Sequence, residues 1–347
     1  MSAPGVSVPR VLVCEDSPTF AKGLSRLLER DHEFEVVAVC ATAEEAIARL
    51  PALKPDLVTM DLELPGMSGV EAIEQIMSAF PVPILVLSGH VQHRSERALL
   101  ALAAGALDAV SKGGIDVSDP DSTAAQTLRH RAKVLSGVKV IRHPRARLPQ
   151  RRSPAVGSRT ASVIGICAST GGPQALAAAL ADIPASFAIP IFVVQHMSPG
   201  FIEGFAHWLD TEVLLPVRLA EPGARPVRGI WVAPEGAHLV VAPTGKLALD
   251  TTTPAPHRPS GDVLLKSLAA SYGHNAVGVV LTGMGRDGAE GLADVRRAGG
   301  LTIAQNEATS AVYGMPRAAI ERGAELIVPP QEIALHLRSL RPIVQAG

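Results

Sequence analysis

The sequence predicts an α/β protein of two doubly wound parallel-sheet domains, residues 9–135 and 160–347, joined by a basic linker at 136–159. Three observations carry this expectation. Short, nearly continuous apolar runs rich in β-branched residues alternate with segments of helical period, the pattern of strands covered by helices on both faces. The alternation stops between Lys139 and Arg159, where Lys139, Arg142, Arg145, Arg147, Arg151, Arg152 and Arg159 stand among Pro144, Pro149 and Pro154 without one acid. That is a linker composition, and a docking segment for an acidic partner is the alternative reading of the same run. Finally, the 347 residues, 47% of them hydrophobic, suffice for two buried cores at ~150 residues per domain.

In the first domain Val11 to Cys14, Val36 to Val39, Leu57 to Met60 and Ile84 to Leu87 read as strands, with a fifth before Lys112. Between them Phe20 to Leu28, Ala43 to Leu50, Val70 to Ala79 and Glu96 to Ala104 read as amphipathic helices, which is βαβ logic. After Thr160 the expected strands are Ser162 to Ile166, Ile191 to Val194, Ile230 to Ala233, Leu239 to Ala242, Ala276 to Leu281 and Leu301 to Ala304. The expected helices are Gln174 to Leu180, Ile202 to Leu209, Asp262 to Tyr272, Ala289 to Ala298 and Ile333 to Leu340.

Composition excludes several classes. Lys+Arg 32 against Asp+Glu 33, with 3% aromatics, leaves neither a basic field nor stacking platforms for nucleic acid. From Thr160 to Ile202 the only formal charge is Asp182, but Pro173, Pro184, Pro190 and Pro199 break the run far short of the ~20 residues a spanning helix needs. No membrane insertion is expected. The N-terminus has no apolar signal core, and Cys14, Cys40 and Cys167 have no metal or redox spacing, so a cytoplasmic location is expected.

In an open parallel sheet, function gathers beyond the carboxyl ends of the strands. Glu15 and Asp16 end the first strand and Asp61 the third, while Ser88 ends the fourth and Lys112 follows the fifth. Taken singly, each is an ordinary solvated loop residue. Three carboxylates brought together call for a divalent cation, and all-oxygen ligation suits Mg²⁺. A hydroxyl and an ammonium beside them are the groups that hold a phosphoryl group on a carboxylate. With Pro65-Gly66-Met67-Ser68-Gly69 following Asp61, the constellation resembles the receiver domain of two-component response regulators. The resemblance implies a flavodoxin-like fold, Asp61 as phosphoacceptor and Glu15, Asp16 and Asp61 as Mg²⁺ ligands. It also implies Ser88 as the switch hydroxyl and Lys112 as the phosphate-binding lysine. Two positions depart from the family: Ala109 stands where an aromatic is usual, and Gly113 where Pro usually follows the lysine.

In the second domain the first strand runs into Cys167-Ala168-Ser169-Thr170-Gly171-Gly172-Pro173 and then a helix. A serine on such a turn lies near a helix N-terminus, where an oxyanion is stabilised. The next strand delivers His196 to the same sheet edge, so it can serve as the base serine needs. A third strand ends in Thr282 to Gly288, supplying Asp287 to orient the imidazole and exposed backbone N–H groups. Taken separately, the glycine-rich loop also reads as a phosphate site or a turn, His196 as structural and Asp287 as an N-cap. A phosphate site would want a lysine near Gly171 and Gly172, and there is none.

Ala168-Ser169-Thr170-Gly171-Gly172, Gln195-His196-Met197, His257-Arg258-Pro259-Ser260, Leu281 to Gly288 and Tyr313-Gly314-Met315-Pro316 together resemble the catalytic domain of the chemotaxis protein-glutamate methylesterase family. Members join a receiver to this domain, so the resemblance spans nearly the whole chain. It implies a Rossmann-like domain with Ser169 as nucleophile, His196 as base, Asp287 as orienter and the Met284 N–H in the oxyanion hole. Cys167 stands where Gly is usual, Gly261 where Val is usual and Asn306 where Asp is usual. The implied activity is hydrolysis of glutamyl methyl esters, and deamidation of glutamines, on methyl-accepting chemoreceptors. No cofactor is implied for ester hydrolysis. A histidine kinase is the implied phosphodonor, and phosphorylation of Asp61 the implied activating signal. Two alternatives stay open: a serine hydrolase with another acyl substrate, and a non-catalytic module that drains phosphoryl groups from the kinase.

Overall fold

A computed structural model describes residues 7–89, 92–138, 140, 159–242 and 244–343. The chain divides into two compact units, residues 1–145 and 146–347. Lys139, Arg142, Arg145, Arg147, Arg151 and Arg152 of the expected linker lie outside the described residues.

The first unit alternates strictly: β1 (Arg10–Cys14), α1 (Pro18–Leu28), β2 (Glu35–Cys40), α2 (Ala43–Leu53), β3 (Leu57–Asp61), α3 (Gly69–Ala79), β4 (Ile84–Ser88), α4 (Gln92–Ala103), β5 (Asp108–Ser111) and α5 (Thr123–Ser136). Its five strands are parallel in the order β2-β1-β3-β4-β5, so the winding direction reverses between β1 and β3. Small polar residues start the helices. Ser17, Thr42 and Ser122 accept backbone N–H groups of α1, α2 and α5, and Ser68 forms a reciprocal capping box with Glu71 at α3. The caps fix where each loop ends, and with it the strand-end residues that face the site.

The second unit comprises β6 (Thr160–Ala161), β7 (Val163–Ala168), α6 (Gly172–Leu180), β8 (Ile191–Gln195), α7 (Ile202–Glu212), β9 (Val217–Leu219), β10 (Ile230–Val232), β11 (His238–Val241), β12 (Leu247–Asp250), α8 (Gly261–Tyr272), β13 (Ala276–Val280), α9 (Ala289–Arg297), β14 (Leu301–Gln305), α10 (Met315–Glu321), β15 (Leu326–Val328), α11 (Pro330–Arg338) and β16 (Arg341–Pro342). Seven strands form one parallel sheet in the order β15-β14-β13-β7-β8-β10-β9. The reversal point lies between β7 and β13. Phe192, Leu264, Leu265, Leu268, Leu292 and Val295 are buried in the core that α8 and α9 make with the sheet.

Several expectations need correcting. The run Leu239 to Ala242 is not a parallel strand; β11 pairs antiparallel with β12 in a separate hairpin. A fully apolar run of four residues does not reveal its partner. The short elements β9, β15 and α10, of 3, 3 and 7 residues, have too little length to show a period. Arg159, read with the linker, makes a bidentate pair with Glu325 at 2.8 and 3.0 Å and is anchored to the second unit. Among the described residues no helix is long and apolar enough to cross a membrane.

Candidate active site

Ser169 directly follows β7, His196 directly follows β8, and Asp287 lies in the loop between β13 and α9. These three strands are adjacent at the reversal point, where open parallel sheets place their sites. His196 Nε2 lies 2.8 Å from Asp287 Oδ2, and the side chains are only 10% and 9% exposed. Asp287 is the hub. Ser260 Oγ donates to its Oδ1 at 2.7 Å, the Gly261 N–H to Oδ2 at 2.6 Å and the Asp262 N–H to Oδ1 at 3.1 Å. Burial opposes ionisation of Asp287, but the hydrogen bonds from His196, Ser260 and Gly261 outweigh it and hold the carboxyl well below the usual range. The neighbouring Asp262 is pushed up to about 6, by burial first and then by the Asp287 charge.

An ionised Asp287 on Nε2 favours the tautomer with its proton there and the lone pair on Nδ1. Nδ1 is buried and has no hydrogen-bond partner among the described residues. The Ser169–His196 hydrogen bond is therefore not formed here, a looseness common in active sites without substrate. The two loops are nevertheless tied together. The His196 N–H donates to Ala168 O at 2.9 Å, and Gln195 Nε2 donates to the carbonyls of both Ser169 and His196, at 2.9 and 2.8 Å. The third loop joins through the Ser169 N–H, which donates to Thr282 O at 3.0 Å. At Gly283 a side chain is impossible without displacement: a Cβ would lie 2.7 Å from Ser169 Cβ and 2.3 Å from Met315 Sδ. The adjacent Met284 N–H makes no hydrogen bond with a described residue. Cys167, two residues before Ser169, is fully buried. Burial, reinforced by the Asp287 charge, pushes its thiol well up, against a thiolate role.

Sequence reasoning missed two groups here. In the sequence Ser260 stands only as part of a motif, yet its hydroxyl bonds Asp287. His257 stacks on His196 with ring centroids 4.4 Å apart. Neither contact leaves a local sequence pattern. A Ser-x-Asp at a helix start signals a cap, and Ser260 does cap α8 as well.

In the first unit, Glu15, Asp16 and Asp61 converge at the reversal point between β1 and β3, with ligand oxygens within 4.8 Å of one another. Lys112 Nζ lies 2.6 Å from both Asp61 Oδ2 and Glu15 Oε2, but only the Asp61 contact is aligned as a hydrogen bond. Burial raises the Glu15 carboxyl despite Lys112. For Lys112 burial pulls the other way, and the hydrogen bond to Asp61 with the charges of Asp61 and Glu15 overcomes it and raises the ammonium. Ser88 is buried at the end of β4, one residue beyond the position paired with Asp61. Ala109 is buried on β5, so the usual aromatic is replaced by a methyl group.

Fold and chemistry thus define a class: a response-regulator receiver carried by a hydrolase. Residues 11–117 match the response regulator receiver domain family, and residues 164–337 match the CheB methylesterase family. Protein-glutamate methylesterase/protein-glutamine glutaminase 2 of Anaeromyxobacter dehalogenans (strain 2CP-C) is 44% identical, across 98% of this chain and 99% of its own. The enzyme numbered 1 of Syntrophus aciditrophicus (strain SB) is 42% identical, across 94% and 96%. The crystal structure of the Thermotoga maritima CheB methylesterase catalytic domain is 38% identical, covers 51% of this chain and 97% of that one, and has a TM-score of 0.49. The chain belongs to the protein-glutamate methylesterase/protein-glutamine glutaminase family.

Proposed function

We propose that this enzyme removes methyl groups from glutamyl esters, and ammonia from glutamines, on methyl-accepting chemoreceptors, under control of phosphorylation on its own receiver. The working parts we assign are a receiver at 9–135, a linker at 136–159 and an esterase at 160–347. The observation that carries the reading is the largely buried Asp287–His196 pair, which leaves Nδ1 without a hydrogen-bond partner among the described residues at the sheet edge holding Ser169. In our assignment Ser169 Oγ attacks the γ-carbonyl while His196 Nδ1 takes its proton. Asp287, held ionised by its donors, stabilises the imidazolium. The oxyanion rests on the Met284 N–H, a donor with no hydrogen bond to a described residue. His196 then protonates the departing methanol or ammonia, and water cleaves the acyl-enzyme by the same route.

Asp61 is the assigned phosphoacceptor, with a chemotaxis histidine kinase as phosphodonor. The clustered carboxylate oxygens of Glu15, Asp16 and Asp61 fit a Mg²⁺ ion, an all-oxygen set whose charge it would offset, and those three residues would hold it. When bound, Mg²⁺ offsets phosphoryl charge during transfer. Lys112 holds the phosphoryl oxygens in this reading, and Ser88 reports their arrival by hydrogen bonding. With Ala109 in place of an aromatic, the report runs through Ser88 and its loop. The buried cysteines, none of them paired, support placement in the reducing cytoplasm.

The test is methanol release from radiomethylated receptor membranes, with and without a small-molecule phosphodonor and Mg²⁺. Wild type should respond to the donor, Asp61→Asn should stay low and unresponsive, and Ser169→Ala should be inactive. Full activity in Ser169→Ala would sink the triad assignment.

A further inference from the structure

The segment joining β12 to α8 is closed by a single histidine. His238 on β11 is fully buried. Its Nε2 lies 3.0 Å from Thr253 O, and the Ser260 N–H donates to its Nδ1 at 3.0 Å. The two nitrogens of one ring thus tie both ends of the stretch from Thr253 to Ser260, in the tautomer carrying its proton on Nε2. Within the stretch, Pro254, Pro256 and Pro259 each fix a φ angle, and Arg258 adds a hydrogen bond to Thr253 O at 3.3 Å. One end, Ser260, bonds Asp287. The middle presents His257, whose exposed ring lies against that of His196 with centroids 4.4 Å apart and planes 26° apart.

His196 needs such a contact. Its backbone N–H is fixed to Ala168 O, but among the described residues the ring makes a single hydrogen bond, at one edge, which leaves rotation about that bond unopposed by a second one. A second ring laid on its face removes that freedom and keeps water from that side.

We propose that His257 is a positioning residue for the hydrolysis. Delivered by the His238 closure, its ring holds the imidazole of His196 in the plane that keeps Nε2 on Asp287 and Nδ1 available for the serine proton. The flat face of the ring does this, not its nitrogens. The proposal rests on the Ser169–His196–Asp287 assignment above.

The experiment measures steady-state methanol release from radiomethylated receptor membranes by the full-length chain and its His257→Ala, His257→Phe and Ser169→Ala variants. His257 is exposed, so its replacement removes little core packing. His257→Ala is expected to lower kcat roughly tenfold, part of the ~100-fold that a 1 Å misplacement costs, with KM within about twofold of wild type. His257→Phe, which keeps a flat ring, should recover kcat to within about twofold of wild type. An unchanged kcat in His257→Ala overturns the proposal. So does a His257→Phe variant as impaired as the alanine one, which would assign the effect to ring nitrogens, or a loss confined to KM, which would place the ring on the substrate. The Ser169→Ala arm separates the two readings. If it is inactive while His257→Ala behaves as wild type, only the positioning role fails; if it is active, the triad itself fails.

Discussion

Installing the family's usual valine at Gly261 should fail in this chain unless Cys167 is changed with it. A Cβ at position 261 would lie 2.5 Å from Cys167 Sγ and 2.8 Å from its Cβ, about 1 Å inside the ~3.5–4 Å at which non-bonded atoms rest. Cys167 is fully buried on central strand β7 and has nowhere to go. Gly261→Val alone should therefore cost ~3 kcal/mol, at the upper end for overpacking. It should also displace the Gly261 N–H from Asp287 and lower activity. Cys167→Gly alone should cost ~2–3 kcal/mol, from the lost side-chain burial and a glycine inside a strand. In the double variant the valine refills the space and only the glycine penalty of ~1 kcal/mol remains. The singles sum to ~5–6 kcal/mol, so the coupling is ~4 kcal/mol in favour of the pair. Urea unfolding followed by tryptophan fluorescence measures this directly, because both tryptophans, Trp208 and Trp231, lie in the second unit. A double variant as unstable as the sum of the singles would refute the idea that the two side chains compete for one space.

Three further outcomes follow from the site. Gly283→Ala should abolish methanol release while the receiver still accepts phosphate from a small-molecule donor, since the added methyl group falls 2.7 Å from Ser169 Cβ. Ser260→Ala removes a hydroxyl donor to an ionised Asp287, a bond worth ~1.5–3 kcal/mol; kcat should fall about 10- to 100-fold, and Ser260→Thr should restore most of it. Asp262 sets a pH dependence. Its folded pKa of about 6 lies above the ~3.9 of an unfolded aspartate. Its contribution is full below ~4 and is lost as pH rises through about 6. The Asp262 share of stability should fall across that interval, so Asp262→Asn, which stays neutral, should make the pH slope of urea unfolding more positive between about 4 and 6. An unaltered slope in Asp262→Asn would count against the raised value.

The parts of this architecture legible in the sequence are those set by local chemistry. β1 after Arg10, β3, β7, β8 and β13 are buried, which makes them predominantly apolar runs, and the polar residue that ends or follows each is a site residue or leads into one. Contacts between distant loops left no trace. Ser260 and Asp287 meet across 27 positions, and His257 meets His196 through a strap whose closure depends on a hairpin that the apolar run at 239–242 does not disclose. Cys167 and Gly261 read as two unrelated departures from the family. In the fold they face each other, and a Cβ at 261 would meet the Cys167 side chain at 2.5 Å.

The pairing of β6 with β16 has a mechanical meaning. Thr160 and Ala161 lie parallel to Arg341 and Pro342, the Arg341 N–H donates to Arg159 O at 2.9 Å, and the Arg159 guanidinium grips Glu325. The chain that enters at Arg159 is thus held by a two-residue strand pairing and an ion pair ahead of Val163, the first residue of the strand that leads into Ser169. The esterase is clamped at its point of attachment, as a cable is secured by a strain relief ahead of its terminals. Glu325→Ala would remove the ion pair and leave the β6–β16 pairing alone between Arg159 and the strand that leads into Ser169.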